Sequence, residues 1–172
     1  MKDKFIITHV SVKLKKVKSD YNLNLNYKDI LQKIQDLNLK IEDLSIKDIA
    51  DIIIDIRKYK LPDRKQIWTA GSFFQNPIIS KEKYWLLKEK YPELIWYDID
   101  YSHTKLSAGQ LIEICGFKWY RDGDAGVYNN HALVLVNYGS ATWNNILTLS
   151  EKIQNKVSEV FNVKIIPEVN FI

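Results

Sequence analysis

The segment that most constrains this chain is residues 70–77, which read AGSFFQNP. Gly71 permits a positive φ or a close approach to a ligand, and Pro77 prevents a strand ladder or a helix from continuing. The two phenylalanines between them are expected to anchor the segment in a core. Ser72 and Asn76 would then present their polar ends on a rigid loop, as in a binding site. An ordinary turn between two elements is the alternative.

The residues before this segment predict one strand and two helices. Alternating apolar residues indicate a strand over 5–14, and 27–37 is expected to be helical. A second helix begins at Ser45, which forms a capping box with Asp48, and ends before Pro62. Its predicted core-facing residues are Ile46, Ile49, Ala50, Ile53 and Ile56.

The residues after the segment predict three helices and two strands. A helix starts near Ser80, and another starts at a Ser107–Gln110 capping box and ends at Gly116. The other expected elements are a buried strand over 132–136, a long helix over 142–161 and a closing strand over 163–172, bent at Pro167. This order indicates an α+β fold, because there are too few strand–helix–strand units for a doubly wound sheet.

Composition excludes several classes of protein. The net charge of +4 is mild, and no basic face with interleaved aromatic residues indicates nucleic-acid binding. The lysines of 13–18 are typical of a protected strand edge. Cys115 is the single cysteine, which excludes a disulfide within the chain and fits a reducing, cytoplasmic compartment. No apolar run approaches the about 20 residues that span a bilayer, so no membrane contact is expected.

Two pairs of acidic residues invite a metal-site interpretation, which their surroundings do not support. Asp98 lies near Asp100, and Asp122 lies near Asp124. Neither pair has a histidine at the spacing of metal ligands, and no metal site is expected. His103 and Asp100 form only a weak pair.

Several ordered motifs together resemble one family. They are residues 60–63, 70–77, 107–112, 123–127, 131–137 and 167–172. Over 5–172 the chain resembles the carboxy-terminal half of UDP-N-acetylenolpyruvoylglucosamine reductase, in its tyrosine-loop (type I) form. The resemblance implies an NADPH-dependent, FAD-mediated reduction of UDP-N-acetylenolpyruvoylglucosamine to UDP-N-acetylmuramate. That reaction serves peptidoglycan synthesis, and through it cell-wall biogenesis, cell shape and cell division.

The resemblance also implies a division of the chain. Residues 1–60 would be the tail end of the flavin-binding domain, 61–162 the substrate-binding domain and 163–172 a closing strand. The family's Gly-rich phosphate loop and essential arginine have no counterpart here, so most of the FAD site would lie in a missing amino-terminal half. The isolated chain is expected to be an inactive monomer whose partner is a flavin-binding half. The alternative is a non-catalytic UDP-sugar-binding or interaction protein derived from that half.

By the same resemblance, Ser72 and Glu168 are the catalytic residues. Ser72 would donate a proton to the carbon beside the one that receives hydride. Glu168 would help to polarise the enolpyruvyl carboxylate or to stabilise the enol. Without the resemblance, Glu168 would be interpreted as a surface glutamate at the end of a strand.

Five further residues are implied in substrate binding. Lys60, Tyr27 and Asn76 supply an ammonium, a phenol and an amide, which suit a diphosphate. Arg57 either adds positive charge or forms a salt bridge with Asp55 or another neighbour. His131 either lies near the ligand or is a structural histidine before a buried strand.

Three positions depart from the family pattern. Trp68 and Thr69 stand where a Gly-Asn pair is usual, and Gln75 replaces a usual lysine. The bulk of Trp68 is expected to narrow the loop. The departures leave Ser72 and Asn76 intact.

Overall fold

The computed structural model describes residues 8–14, 25 and 28–170 of the chain. Two compact units, Met1–Ile53 and Ile54–Ile172, are described separately below. In the first unit, residues 8–14 are exposed and form no strand. The strand expected over 5–14 is wrong for this part, since a strand needs a pairing partner and this unit has no other strand among its described residues.

Helix α1 spans Lys28–Asp36, in agreement with the predicted helix over 27–37. Its buried residues are Ile30 and Ile34, one turn apart, as amphipathic spacing requires. A short 3-10 helix, Ile41–Asp43, follows.

Helix α2 spans Ile46–Lys60 and begins at the predicted capping box. The backbone N–H of Ser45 donates to Asp48 Oδ2 at 2.8 Å, and the N–H of Asp48 donates to Ser45 Oγ at 3.2 Å. The hydrogen bonds from Ser45 also hold the pKa of the Asp48 carboxyl below its ordinary value. The N-terminus of α2 is thus satisfied locally.

The buried face of α2 differs from the predicted one. Ile49 and Ile52 are buried, whereas Ile46 and Ile53 are exposed. The three consecutive isoleucines 52–54 offer more than one apolar stripe, and tertiary packing selects among them. The predicted buried face is therefore confirmed at Ile49 and wrong at Ile46, Ala50 and Ile53.

The second unit contains two antiparallel sheets, which confirm the α+β prediction. In chain order the strands are β1 (Trp68–Ser72), β2 (Ile78–Ser80), β3 (Trp96–Asp98), β4 (His103–Leu106), β5 (Arg121–Asp122), β6 (Ala125–Val127) and β7 (Val134–Asn137). One sheet has the order β1-β7-β6-β5, and the other has the order β2-β4-β3. The buried strand expected over 132–136 corresponds to β7.

Three helices of this unit begin where the sequence predicts. They are α3 (Lys81–Lys90), α4 (Ala108–Ile114) and α5 (Trp143–Phe161). Thr142 and Asn145 form a reciprocal capping box at the start of α5. The core side chains of α5 are Leu149, Ile153, Val157 and Phe161.

No helix in the described part of the chain is long and apolar enough to cross a membrane.

The capping box expected at α4 forms only in part. Ser107 Oγ accepts from the N–H of Gln110 at 3.3 Å. The Gln110 side chain turns instead to the preceding loop, where it accepts from Ile95 N–H and donates to the carbonyl of Glu93. Gly116 has a φ of +82° after the helix, as expected of a helix-ending glycine.

The closing strand expected over 163–172 is reduced to one β-bridge in its described part. Pro167 pairs with Phe74 in antiparallel fashion, and residues 163–170 form no regular strand. Pro167 has no N–H to donate to a ladder, which limits the pairing. Val163 and Ile165 are nevertheless buried and hold this segment against the core.

Candidate active site

The loop that carries Ser72 begins with a bulge at the end of β1. Thr69 pairs with Val136 and Ser72 pairs with Val134, so two residues of β1 lie opposite one residue of β7. Gly71 adopts a φ of +83° within the bulge, which a residue with a Cβ rarely adopts. The Ser72 side chain that follows is exposed.

Two phenylalanines anchor the loop, as the sequence predicts. Phe73 is 2% exposed and Phe74 is 1% exposed, and their rings meet edge to face. Phe73 N–H also donates to the carbonyl of Leu133 at 2.7 Å. Ser72 is therefore an exposed hydroxyl on a firmly held backbone.

The backbone of Glu168 lies directly beside this anchor. Glu168 N–H donates to the carbonyl of Phe73 at 2.7 Å, and Gln75 N–H donates to the carbonyl of Ile166 at 2.8 Å. Phe73 follows Ser72, so the two predicted catalytic residues come from distant parts of the sequence to adjoining backbone positions. The Glu168 side chain is exposed like that of Ser72.

A second pair of predicted residues also comes together. Burial lowers the pKa of His131, the positive charge of Lys60 lowers it further, and Glu113 opposes them. Lys60 is the last residue of α2, and the Asn130 amide donates to the carbonyl of Tyr59 at 2.7 Å beside it. The end of α2 and the loop before β7 thus adjoin within the second unit.

The hydrogen bonding of His131 defines its tautomer. Leu133 N–H donates to His131 Nδ1 at 3.3 Å, so this nitrogen is an acceptor and the proton of the neutral ring lies on Nε2. Val134 N–H donates to the carbonyl of His131 at 2.9 Å, and Val134 is the residue that pairs with Ser72. The loop before β7 consequently joins the Lys60–His131 pair to the Ser72 loop.

Asn76 has a structural contact that the sequence does not reveal. Its Oδ1 accepts from the N–H of Ala108, the first residue of α4, at 2.9 Å. The side chain is otherwise exposed. Because the oxygen faces α4, the amide group points its N–H donors elsewhere, which keeps a donor role toward a ligand open.

The structure does not bring Arg57 into this group and does not describe Tyr27. Tyr27 lies outside the described residues. Arg57 is exposed on α2, and the salt bridge considered for it to Asp55 is made instead by Lys58, with an Nζ–Oδ1 distance of 4.0 Å.

Thr69 makes two hydrogen bonds beside Ser72 that sequence reasoning missed. Its hydroxyl donates to the carbonyl of Leu135 at 2.9 Å and accepts from Gly71 N–H at 3.0 Å. The departure from the usual asparagine marks this position in the sequence, but nothing in the sequence identifies its partners. Trp68, by contrast, is 80% exposed and pairs with Asn137 at the opposite end of β1 from Ser72, so it does not narrow the loop.

The other polar clusters stabilise turns. Hydrogen bonds from Ser102 and then His103 lower the pKa of Asp100 to about 2. Asp124 accepts from Ser140 N–H and from Arg121, which hold its pKa below the ordinary value. In the described ranges, no group of three or more His, Cys, Asp or Glu side chains is arranged to hold a metal ion.

The residues present do not fit the FAD that the resemblance implies. A flavin dinucleotide needs glycine N–H groups around its diphosphate. Of the chain's six glycines, Gly71 lies in the bulge of β1, Gly116 and Gly123 lie at separate positions outside the strands, and the others pack against side chains. A cleft of about 460 Å³ between residues 115–120 and α5 is lined by none of the candidate residues.

Several known proteins are similar to this chain in sequence. Residues 62–172 match the family model of the UDP-N-acetylenolpyruvoylglucosamine reductase C-terminal domain. The reductase of Flavobacterium johnsoniae is 45% identical over all of this chain and 50% of its own length. That of Pseudomonas savastanoi pv. phaseolicola is 41% identical over 97% of this chain and 48% of its own. The chain thus spans about half the length of these curated relatives.

One solved structure is also similar. The crystal structure of the reductase from Thermus caldophilus gives a TM-score of 0.41 and 27% sequence identity, covering 70% of this chain and 32% of that one. This likeness is too low to define the fold.

Proposed function

Since this chain belongs to the UDP-N-acetylenolpyruvoylglucosamine reductase family and matches its C-terminal domain over residues 62–172, we propose that it supplies the substrate side of that reduction. The product would be UDP-N-acetylmuramate, a peptidoglycan precursor. The observation that carries the proposal is the junction at Phe73, which brings the backbones of Ser72 and Glu168 together. A cytoplasmic, monomeric enzyme belongs to the same proposal.

Ser72 would complete the reduction by protonation. A hydride brings two electrons to one carbon of the enolpyruvyl double bond, the π bond breaks, and negative charge develops toward the neighbouring carbon. The Ser72 O–H bond then breaks as its proton forms a C–H bond there, and the serine oxygen regains a proton from solvent. The loop suits this task because the Ser72 hydroxyl is exposed next to a backbone that the hydrogen bonds of Phe73 hold in place.

Glu168 would act on the same part of the substrate. Its backbone is held one position from Ser72 by the bond to Phe73. From there the carboxyl group can help to polarise the enolpyruvyl carboxylate or stabilise the enol. Both roles require the substrate's reacting carbons to lie against this junction.

The nucleotide part of the substrate would extend toward α2. Lys60 supplies positive charge, and His131 supplies an Nε2–H donor beside it. Asn76 offers its amide N–H donors, since its bond to Ala108 uses the amide oxygen. Tyr27 and Arg57 complete the proposed set of groups for the diphosphate.

The hydride would come from outside this chain, with NADPH as the reductant and FAD held by a flavin-binding half. The chain's glycines offer no diphosphate cradle, so its own residues are given no part in holding FAD. The alternative is a non-catalytic UDP-sugar-binding or interaction protein derived from the same half. The two functions differ in whether product forms when a flavin half is supplied.

A hybrid reductase tests this difference. Residues 1–172 would replace the matching half of the Flavobacterium johnsoniae reductase, and product formation from NADPH and substrate would be measured by chromatography. Product formation supports the enzyme. Calorimetric binding of the substrate by the 172-residue chain without product from the hybrid supports the binding protein, and absence of both overturns both proposals.

A further inference from the structure

In the bulge of β1, the side chain of Thr69 connects β1 to β7. Between the pairs Thr69–Val136 and Ser72–Val134, Ala70 and Gly71 both lie opposite Leu135. An extra residue interrupts the direct N–H to carbonyl bonds of a ladder. The conformation of a bulge then depends on what satisfies the displaced groups.

The hydroxyl of Thr69 satisfies two of these groups at once. It accepts from Gly71 N–H at 3.0 Å and donates to the carbonyl of Leu135 at 2.9 Å. The three groups therefore form a chain of two hydrogen bonds across the strands. A hydroxyl can do both, since it has one donor and two acceptor positions.

These two hydrogen bonds hold Gly71, the residue that precedes Ser72. Gly71 has a φ of +83° and no heavy atom within 4 Å of the position where a Cβ would lie. Packing therefore does not hold Gly71 from that side. The N–H of Gly71 donates to the Thr69 hydroxyl, so this bond sets the direction in which the chain enters Ser72.

We infer that Thr69 is a positioning residue for Ser72, acting through the N–H of Gly71. This inference rests on the proposed function, in which Ser72 donates a proton. Thr69 lies within β1 and its hydroxyl points to β7, so it acts through the backbone. Loss of its hydroxyl should lower the rate of product formation while leaving substrate binding intact.

Thr69→Val in the hybrid reductase removes the hydroxyl and keeps the shape. We expect kcat to fall by about 10- to 100-fold, the scale of a small misplacement of a reacting group, with KM changed by less than about threefold. Thr69→Ser keeps the hydroxyl and should recover most of kcat. An unchanged kcat in Thr69→Val, or an equal loss in Thr69→Ser, would overturn the inference.

Two further measurements separate this inference from the proposed function. In the 172-residue chain, NMR hydrogen exchange at the Gly71 amide should accelerate by about 10-fold or more in Thr69→Val and stay normal in Thr69→Ser. On a Ser72→Ala background, Thr69→Val should cause no additional loss of kcat, and an additive loss would contradict positioning through Ser72. Normal turnover of Ser72→Ala would overturn the proposed function, whereas unchanged Gly71 exchange would overturn the role of Thr69.

Discussion

The chain contains two Gly-Ser pairs at opposite ends of the β1–β7 ladder, and they differ in almost every contact. Gly71–Ser72 ends β1, while Gly139–Ser140 follows β7. Gly71 is required for its φ of +83° and has open space around it. A Cβ on Gly139 would lie 2.8 Å from Asp124 Oδ2, so a larger residue there would displace the Asp124 carboxylate. The same dipeptide therefore serves conformation at one end and packing at the other.

The two serines differ in the same way. Ser140 N–H donates to Asp124 Oδ2 at 2.7 Å and leads into the start of α5. Ser72 leads into two buried phenylalanines and adjoins the backbone of Glu168. The comparison shows that a Gly-Ser pair becomes a candidate site through its neighbours, and four predictions test the contrast.

The largest effect is expected from removing the hydroxyl of Ser72. Ser72→Ala in the hybrid reductase should slow product formation by about 10²- to 10⁴-fold, because a general acid is lost. This corresponds to about 3–5 kcal/mol in the barrier. Ser140→Ala, the matched control, should retain nearly normal product formation. As a control, NADPH oxidation with an artificial electron acceptor should be normal in both variants. Equal rates of product formation in the two variants would contradict the difference proposed between Ser72 and Ser140.

A smaller effect is expected from the charge near the Ser72 end. Lys60→Ala should weaken substrate binding by about 1–3 kcal/mol, the range for losing a charged hydrogen-bond partner, and should act chiefly on KM. Lys58→Ala removes an exposed lysine of the same helix and should leave KM unchanged. Steady-state kinetics at constant ionic strength measure both. A KM shift shared by the two variants would indicate a general charge effect.

The third prediction compares two glycines with nearly the same backbone. Gly71 and Gly116 have φ values of +83° and +82°, and neither has an atom within 4 Å of the position that a Cβ would occupy. Alanine at either position should lower the free energy of unfolding by about 1–2 kcal/mol, because a Cβ disfavours this conformation. Only Gly71→Ala should also reduce kcat. Urea unfolding and kinetics together test this, and a kcat loss in Gly116→Ala would refute the assignment.

The smallest effect is expected in how stability at the Gly139–Ser140 end depends on pH. Ser140 N–H and Arg121 hold the pKa of Asp124 below its ordinary value of 3.8. Such a carboxylate stabilises the fold above pH 3.8, and this contribution disappears as the pH falls through the lowered pKa. Asp124→Asn should lower Tm at pH 7 by about 1–3 °C. The difference from the parent protein should shrink in acid, and a constant difference across the titration would contradict the assignment.

Local signals explain what the sequence predicted well. Ser45 with Asp48, Thr142 at the start of α5, and Gly116 after α4 each depend on residues within one turn of a helix. The anchoring role of the two phenylalanines at 73 and 74 follows from their size and apolar character. Predictions of this kind need no knowledge of the rest of the fold.

Long-range contacts explain what the sequence did not predict. The partner of Asn76 is Ala108, the partner of the Gln110 side chain is the loop at 93–95, and Thr69 binds Leu135. Each side chain has several possible uses, and only tertiary structure selects one. The buried stripe of α2 was mispredicted for the same reason. The pairing of Glu168 with Phe73 was likewise invisible, and the roles of Ser72 and Glu168 came from resemblance.

The backbone pairing beside Ser72 has a consequence for how this family can diverge. Gln75 binds Ile166, and Glu168 binds Phe73, through N–H and carbonyl groups that every residue except proline provides. Replacement of the usual lysine by Gln75 therefore leaves this connection unchanged. Substitutions at position 75 should therefore leave the backbone geometry of the loop unchanged. Insertions or deletions between residues 73 and 75, or between 166 and 168, would instead shift the register, so natural variation here should consist of substitutions.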